Sequence, residues 1–169
     1  GSAGDDEVIA DLAAHVELAV DLGAPYVRVF PGATAGDRDA DSRAVARLRA
    51  AADGIGARPV AVALETHDSH PRGADVARVL DGVGDRRVRA IWDVLHPWRV
   101  GEPVTETAAA LRDHLAYVQI KDAASRDDLT PVPPGHGAVP LDDVAAALGA
   151  ADYHGWVSLE WEAKWYPQA

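Results

Sequence analysis

The strongest constraint on the fold is a regular alternation of helical and strand-like segments along the chain. Stretches with apolar residues three and four positions apart alternate with short runs rich in β-branched residues. The spacing from strand to strand, roughly 30 residues, predicts right-handed βαβ crossovers and a parallel sheet. The predicted helices are 7–22, 41–55, 73–83, 106–115 and 141–148, and the predicted strands are 26–30, 60–65, 88–93, 117–122 and 156–162.

Composition and charge restrict the class of protein. The chain has 169 residues, of which 48% are hydrophobic, and nothing resembling a linker divides it, so one domain over residues 1–169 is expected. A formal net charge of -11 disfavours nucleic acid and anionic lipid as partners. The absence of cysteine excludes disulfides and thiolate chemistry. No apolar run reaches the roughly 20 residues that span a bilayer, and a cytoplasmic location is expected.

Four of the five predicted strands end in a side chain that can bind a cation. These side chains are Glu65, Asp93, Gln119 and Glu160, and each follows apolar residues that require burial. The carboxyl ends of parallel strands meet at one edge of a sheet, so the four groups are expected to converge. Packing carboxylates together is costly unless a cation neutralises them. Three carboxylates and an amide oxygen suit Mg²⁺ or Mn²⁺.

A structural interpretation of the same acids stays open. An acid at the end of a strand commonly caps the next helix, and Glu65 and Asp93 are each placed to do so. Glu162 shares the inward face with Glu160, because strand side chains alternate, and is a candidate partner for Lys121 or Lys164. It is the occurrence of four such groups that favours a binding site.

Histidines and basic residues near the same edge are candidates for substrate binding. His67 follows Glu65, and His96 follows Asp93 and is flanked by Pro97. Arg99 and Lys121 can bind an anionic group, although surface ion pairs are the commoner role for such residues. The segment 123–140 is long for a connection, which is typical of a functional or mobile loop.

The stretches LGAPYVRVFPG, VALETHD, IWDVLHPWRVGE, YVQIKDA and GWVSLEWE together resemble the xylose isomerase-like TIM barrels, and more closely the sugar phosphate isomerase/epimerase group. The resemblance covers nearly the whole chain. It implies that Glu65, Asp93, position 119 and Glu160 hold one divalent metal ion, and that His96 contacts substrate. Mn²⁺ or Mg²⁺ is expected, with Zn²⁺ as an alternative.

The sequence departs from that family in two respects. Position 119 is glutamine where the family has histidine, and an amide oxygen is the poorer donor to Mn²⁺ or Zn²⁺. A family barrel has eight strands, whereas five are predicted here, which match the last five; five cannot close such a barrel. A fragment or truncated chain, with Gly1-Ser2 as a vector-derived remnant, is the favoured explanation. A completing chain and a naturally shortened domain are the alternatives, and homo-oligomer contacts are expected at the open edges.

The leading functional hypothesis is a metal-dependent isomerase or epimerase that forms an enediolate of a sugar or sugar phosphate. Glu65 and Glu160 would exchange a proton with carbon, while His96, His67, Arg99 and Lys121 would bind substrate. A polyol dehydratase on the same scaffold and a non-catalytic binding remnant are the alternatives. A phosphodiesterase of the endonuclease IV type is disfavoured, because it needs more histidines and a basic surface.

Overall fold

The computed structural model describes residues 4–34, 36–162 and 164–167. Five of its strands form one parallel sheet in the order β1-β2-β3-β4-β7, and β5 pairs with β6 in a separate antiparallel ribbon. The predicted parallel α/β sheet is therefore confirmed. The elements in chain order are α1 (Asp5–Leu22), β1 (Tyr26–Val29), α2 (Ala40–Ile55), β2 (Ala61–Glu65), α3 (Gly73–Val83), β3 (Val88–Asp93), α4 (Leu95–Arg99), α5 (Val104–Leu111), β4 (Leu115–Ile120), β5 (Asp122–Ala123), β6 (Pro131–Val132), α6 (Leu141–Ala150) and β7 (Val157–Leu159).

Several predicted boundaries differ from the observed ones. The strand predicted at 117–122 is β4, which begins at Leu115, because Leu115 pairs with Ala90 across a register shift in β3. The helix predicted at 106–115 therefore ends earlier, at Leu111. The last strand, predicted at 156–162, is shorter, since β7 covers only Val157–Leu159. The short helix α4 was not predicted.

The two faces of the sheet have different chemistry. Leu64, Trp92 and Val118 point to the convex face and pack with the helices in the main apolar core. The concave face carries a small apolar cluster that includes Ala63 and Ile91. This alternation follows from the two-residue period of strands, and it places the polar strand-end groups on the concave side. None of the helices described here is long and apolar enough to span a membrane.

The loop after β4 is fastened by one buried carboxylate. Asp122 is 3% exposed and accepts hydrogen bonds from four backbone N–H groups. Their donors are Ala123, Gly135, Gly137 and Val139, at 2.9, 2.9, 2.9 and 3.1 Å. A Cβ atom at Gly137 would meet the Asp122 carboxylate, so glycine is required there. The loop predicted as mobile or functional is thus held to the end of β4.

Replacing Asp122 by alanine leaves these N–H groups without their acceptor. We expect the free energy of unfolding of Asp122→Ala, measured by urea denaturation, to fall by about 3 kcal/mol. Asp128→Ala is the matched control, because Asp128 is exposed and accepts bonds within its own turn. Equal stability of the two variants would contradict the role assigned to Asp122.

Candidate active site

The strand-end groups lie together at the carboxyl edge of the sheet. Glu65 and Asp93 are the last residues of β2 and β3, and both have no exposed surface. Asp93 is the register partner of Gln119 on β4, and the Gln119 amide nitrogen donates to Asp93 Oδ2 at 3.3 Å. Glu160 follows β7, and its N–H extends the pairing to the carbonyl of Ile120 at 2.9 Å. The concave edge thus gathers three carboxylates and an amide.

Lys121 joins two of these carboxylates. Its Nζ is 2.9 Å from Asp93 Oδ2 and 2.6 Å from Glu160 Oε2, and Glu162 lies further away at 3.6 Å. Burial opposes the charge on Lys121, but the neighbouring carboxylates outweigh burial and raise its pKa above the ordinary value. Lys121 is therefore an ammonium ion placed between Asp93 and Glu160.

Arg28 on β1 contacts both Glu65 and Glu160. Its guanidinium contacts both oxygens of Glu65, with Nη2 donating to Oε1 at 2.9 Å and Nε contacting Oε2. Nη1 also donates to Glu160 Oε1 at 3.3 Å. The guanidinium lies 4.7 Å from the centroid of the Phe30 ring. Arg28 thereby ties the first strand of the sheet to the last one through Glu65 and Glu160.

The pKa of Glu65 lies close to neutral pH. Burial raises the pKa of Glu65 to about 7, and the charge of Asp93 acts in the same direction, while Arg28 opposes the shift. For Glu160, burial is outweighed by the hydrogen bond and charge of Lys121, so its pKa lies below the ordinary value. The two glutamates therefore differ in proton affinity.

Two histidines cover the carboxylates on the open side. The rings of His67 and His96 are 4.2 Å apart between centroids, and the His67 ring meets Phe30 edge-on at 4.8 Å. Nε2 of His96 is buried without a hydrogen-bond partner among the described residues, and lies 3.7 Å from Asp93 Oδ2. Burial lowers the pKa of His96 to about 3, and the charges of His67 and Lys121 add to this effect. His96 is therefore a neutral imidazole.

The hydroxyl of Thr66 fixes the ends of β2 and β3 to each other. Thr66 Oγ1 donates to the carbonyl of Asp93 at 3.0 Å and accepts the N–H of Asp93 at 3.0 Å. The Asp93 carboxylate also accepts the N–H of Leu95 at 2.9 Å. Asp93 thus serves in part as the cap that the sequence suggested, and its other oxygen faces the concave site.

Residues 2–169 match the family model described as a xylose isomerase-like TIM barrel. The chain belongs to this family. Its five parallel strands correspond to a partial barrel, as predicted. Among curated proteins, the "Putative hydroxypyruvate isomerase" of Streptomyces coelicolor is 33% identical over 121 residues, which is 66% of this chain and 41% of that protein. The match thus covers less than half of that relative.

Solved structures of the family show the same fold. The IolI protein with a bound zinc atom has a TM-score of 0.81 at 22% identity, over 92% of this chain and 60% of that one. AsbF of Bacillus anthracis, described as a probable 3-DHS dehydratase, has a TM-score of 0.81 at 21% identity, over 95% of this chain and 65% of that one. Further structures of this fold include sugar 3-epimerases.

The donor set of this family member fits a divalent cation. Ligand atoms of Glu65, His67 and His96 all lie within 4.8 Å of one another. His96 Nε2 is a buried ring nitrogen without a hydrogen-bond partner among the described residues. Three carboxyl groups face two basic side chains, Arg28 and Lys121. Carboxylate oxygens and neutral imidazoles are ligands of Mn²⁺ and Zn²⁺.

The structure brings most of the predicted residues together, and it adds others. Arg99 ends α4 on the exposed surface, where its charge helps to lower the pKa of His96. Arg28 was not predicted, although a charge in the middle of the strand YVRVF was a signal for it. Thr66 was also not predicted, and its link to Asp93 has no counterpart in the sequence pattern.

Removal of the Thr66 hydroxyl should loosen the pairing of the two acidic strand ends. We expect Thr66→Val to lower the free energy of unfolding by about 2 kcal/mol, because the buried N–H and carbonyl of Asp93 lose their partner. Urea denaturation measures the change, and Thr105→Val on the exposed side of α5 is the control. A Thr66→Val variant as stable as the control would show that the link is dispensable.

Proposed function

We propose that this chain carries the proton-transferring and metal-binding groups of an isomerase or epimerase that acts on a sugar or sugar phosphate. The observation that carries the proposal is the joining of Glu65 and Glu160 by one guanidinium, beside the buried carboxylate of Asp93. These acids lie at the carboxyl edge of the parallel sheet, which is where catalytic groups usually lie in TIM barrels.

The same groups would hold a divalent cation, with Mn²⁺ or Mg²⁺ preferred by the carboxylates and Zn²⁺ favoured by the imidazoles. Glu65, Asp93 and Glu160 are the ligands proposed from the sequence, whereas the ligand atoms that lie within 4.8 Å of one another belong to Glu65, His67 and His96. In the present arrangement the amide nitrogen of Gln119 faces Asp93. Gln119 would become a further ligand if its side-chain amide turned so that the oxygen pointed into the site. When bound, the cation supplies polarisation of a substrate carbonyl, which acidifies the adjacent carbon.

Proton transfer is assigned to Glu65 and Glu160. One carboxylate removes a proton from carbon, and the other returns a proton to the adjacent position or to the opposite face. The pKa of Glu65, raised to about 7 by burial, suits a group that works in both directions. Arg28 holds both carboxylates within reach of a single small substrate.

The remaining residues orient the substrate. The neutral His96 ring offers a buried nitrogen to a substrate hydroxyl, and the His67 ring contacts that ring at an angle of 51°. Lys121, held as an ammonium ion, is a fixed donor toward a carbonyl or enediolate oxygen. Arg99 is exposed, and we assign it to binding the end of the substrate that lies nearest to solvent.

Solvent deuterium exchange tests the proposed proton transfer. Incubation in D₂O with Mn²⁺ and a panel of ketoses, ketose phosphates and keto acids should place deuterium at carbon for at least one compound. We expect Glu160→Gln to reduce that exchange by about 100-fold or more, since it lacks one proton-transfer group. Mass spectrometry of the recovered substrate provides the measurement.

Glu106→Gln, on the exposed surface of α5, is the control for loss of a glutamate charge. With the Glu106→Gln variant, deuterium exchange into the substrate should proceed as it does with the unmodified chain. In the same experiment, calorimetry measures the binding of Mn²⁺ to the unmodified chain and to both variants. The proposal fails if Mn²⁺ does not bind, or if Glu160→Gln binds the metal and exchanges deuterium as well as the control does.

Dehydration of a polyol is the second candidate, and the position of Lys121 favours it. Loss of water needs a proton for the departing hydroxyl, and Lys121 is a charged donor only 2.6 Å from Glu160. Deuterium exchange without loss of water identifies an isomerase or epimerase, whereas release of water identifies a dehydratase. Binding of Mn²⁺ without either reaction identifies a non-catalytic remnant.

The two edge strands of the sheet, β1 and β7, are proposed to contact additional protein segments. Within the described chain no strand pairs with the outer edge of β1 or of β7. Trp156 is 78% exposed, and Val157 and Leu159 on β7 are about half exposed. Unpaired edges with exposed apolar residues favour pairing with another segment. We propose that additional strands or a second chain cover them.

A further inference from the structure

Lys121 binds the two oxygen atoms that Asp93 and Glu160 have available for a metal ion. Its Nζ is 2.9 Å from Asp93 Oδ2 and 2.6 Å from Glu160 Oε2. The other oxygen of each carboxylate has a different partner. Asp93 Oδ1 accepts the N–H of Leu95. Glu160 Oε1 accepts a hydrogen bond from Nη1 of Arg28. A cation that binds Asp93 and Glu160 through their remaining oxygens therefore meets the ammonium group of Lys121.

A divalent cation and the Lys121 ammonium group compete for these two oxygens. Carboxylate oxygens bind such ions at roughly 2.0–2.3 Å, and Nζ already lies 2.9 and 2.6 Å from the same atoms. Like charges this close repel strongly where little water screens them. The Lys121 side chain is only 8% exposed, so screening by water is weak. Metal binding at Asp93 and Glu160 therefore requires Lys121 to move away.

Glu162 is the acidic side chain placed to receive Lys121. It lies two residues after Glu160 in extended chain, which puts both side chains on the same face. Oε1 of Glu162 is 3.6 Å from Lys121 Nζ. This distance is too long for a hydrogen bond, so a small shift of the ammonium group toward Glu162 would form one. The Glu162 side chain is 29% exposed and is thus not packed into the core.

The contacts around Glu162 are consistent with this role. Its carbonyl accepts the N–H groups of Trp165 and Tyr166 at 2.9 and 3.1 Å, which fixes the backbone in a turn. The neighbouring Lys164 lies over the Trp165 ring, with Nζ 4.8 Å from the ring centroid. Among the residues that the structure describes, Lys121 is the one basic side chain within ion-pair distance of the Glu162 carboxylate.

We propose that Glu162 is a positioning residue for Lys121, and that it accepts the ammonium group when a divalent cation binds Asp93 and Glu160. Lys121 keeps its charge in both positions, so the movement is an exchange of carboxylate partners without proton transfer. The movement frees donors, because an ammonium group has three and two of them now face Asp93 and Glu160. Lys121 thereby becomes available to a substrate oxygen once the metal ion is bound. The inference rests on the proposed function, since it concerns the same metal ion.

A double-mutant cycle on Mn²⁺ affinity tests the inference. Calorimetry measures Mn²⁺ binding to the unmodified chain, to Lys121→Met, to Glu162→Gln and to the double variant. We expect Lys121→Met to tighten binding by about tenfold, because the competing cation is removed, and Glu162→Gln to weaken it by about fivefold. In the Lys121→Met background, Glu162→Gln should change the affinity by less than about twofold, since no ammonium group is left to receive.

Two further variants separate contact with Lys121 from the charge of Glu162. Glu162→Asp keeps the negative charge but withdraws the carboxylate by one methylene group, and it should weaken Mn²⁺ binding nearly as much as Glu162→Gln does. Glu106→Gln, on the exposed surface of α5, should bind Mn²⁺ as the unmodified chain does. Thermal melting establishes that each variant is folded. If Lys121→Met does not fold, the comparison of Glu162→Asp with the unmodified chain decides the matter.

The outcomes distinguish this inference from the proposed function. Equal weakening by Glu162→Gln in both backgrounds would overturn the inference, because Glu162 would then act on the metal ion directly. Unchanged Mn²⁺ affinity in Glu162→Gln and Glu162→Asp would also overturn it and leave the proposed function standing. A failure of both the unmodified chain and Lys121→Met to bind Mn²⁺ would remove the two together.

Discussion

The arrangement of the site depends on the neutralisation of buried carboxylates by two basic side chains. Glu65 and Asp93 have no exposed surface, and an ionised carboxylate in such surroundings requires a partner. Arg28 and Lys121 provide those partners from the strands on either side, and both reach Glu160 at the far end of the sheet. The curvature that brings β1 and β7 toward each other is thus linked to the charges that the strands carry.

The acids of the site are held in two different ways. Thr66 and Gln119 attach Asp93 to its neighbours, so the spacing of the acids is set by the backbone of the sheet. Glu65, in contrast, is held by a side chain that lies one-third exposed at the surface of the concave face. A carboxyl group with a pKa near 7 can change its ionisation at neutral pH.

Much of the fold could be predicted from the sequence, because hydrophobic periodicity distinguishes helices from strands and their alternation implies a parallel sheet. Glu65, Asp93 and Glu160 were identifiable because each interrupts an apolar strand. Arg28 was missed because a single charge in a short strand is equally typical of a solvent-facing position. The ring contact of His67 with His96 and the link from Thr66 to Asp93 depend on neighbouring strands and have no sequence signature. The roles of the predicted site residues stay predictions.

We propose that Glu65, Asp93 and Glu160 share one divalent cation at the concave edge. Anomalous diffraction from crystals of this chain grown with Mn²⁺ tests it most directly. We expect a single strong manganese peak at roughly 2.0–2.3 Å from oxygens of these three residues, in the range for carboxylate ligands of such ions. Manganese peaks confined to surface carboxylates, with Arg28 and Lys121 still filling the space between the three acids, would contradict it.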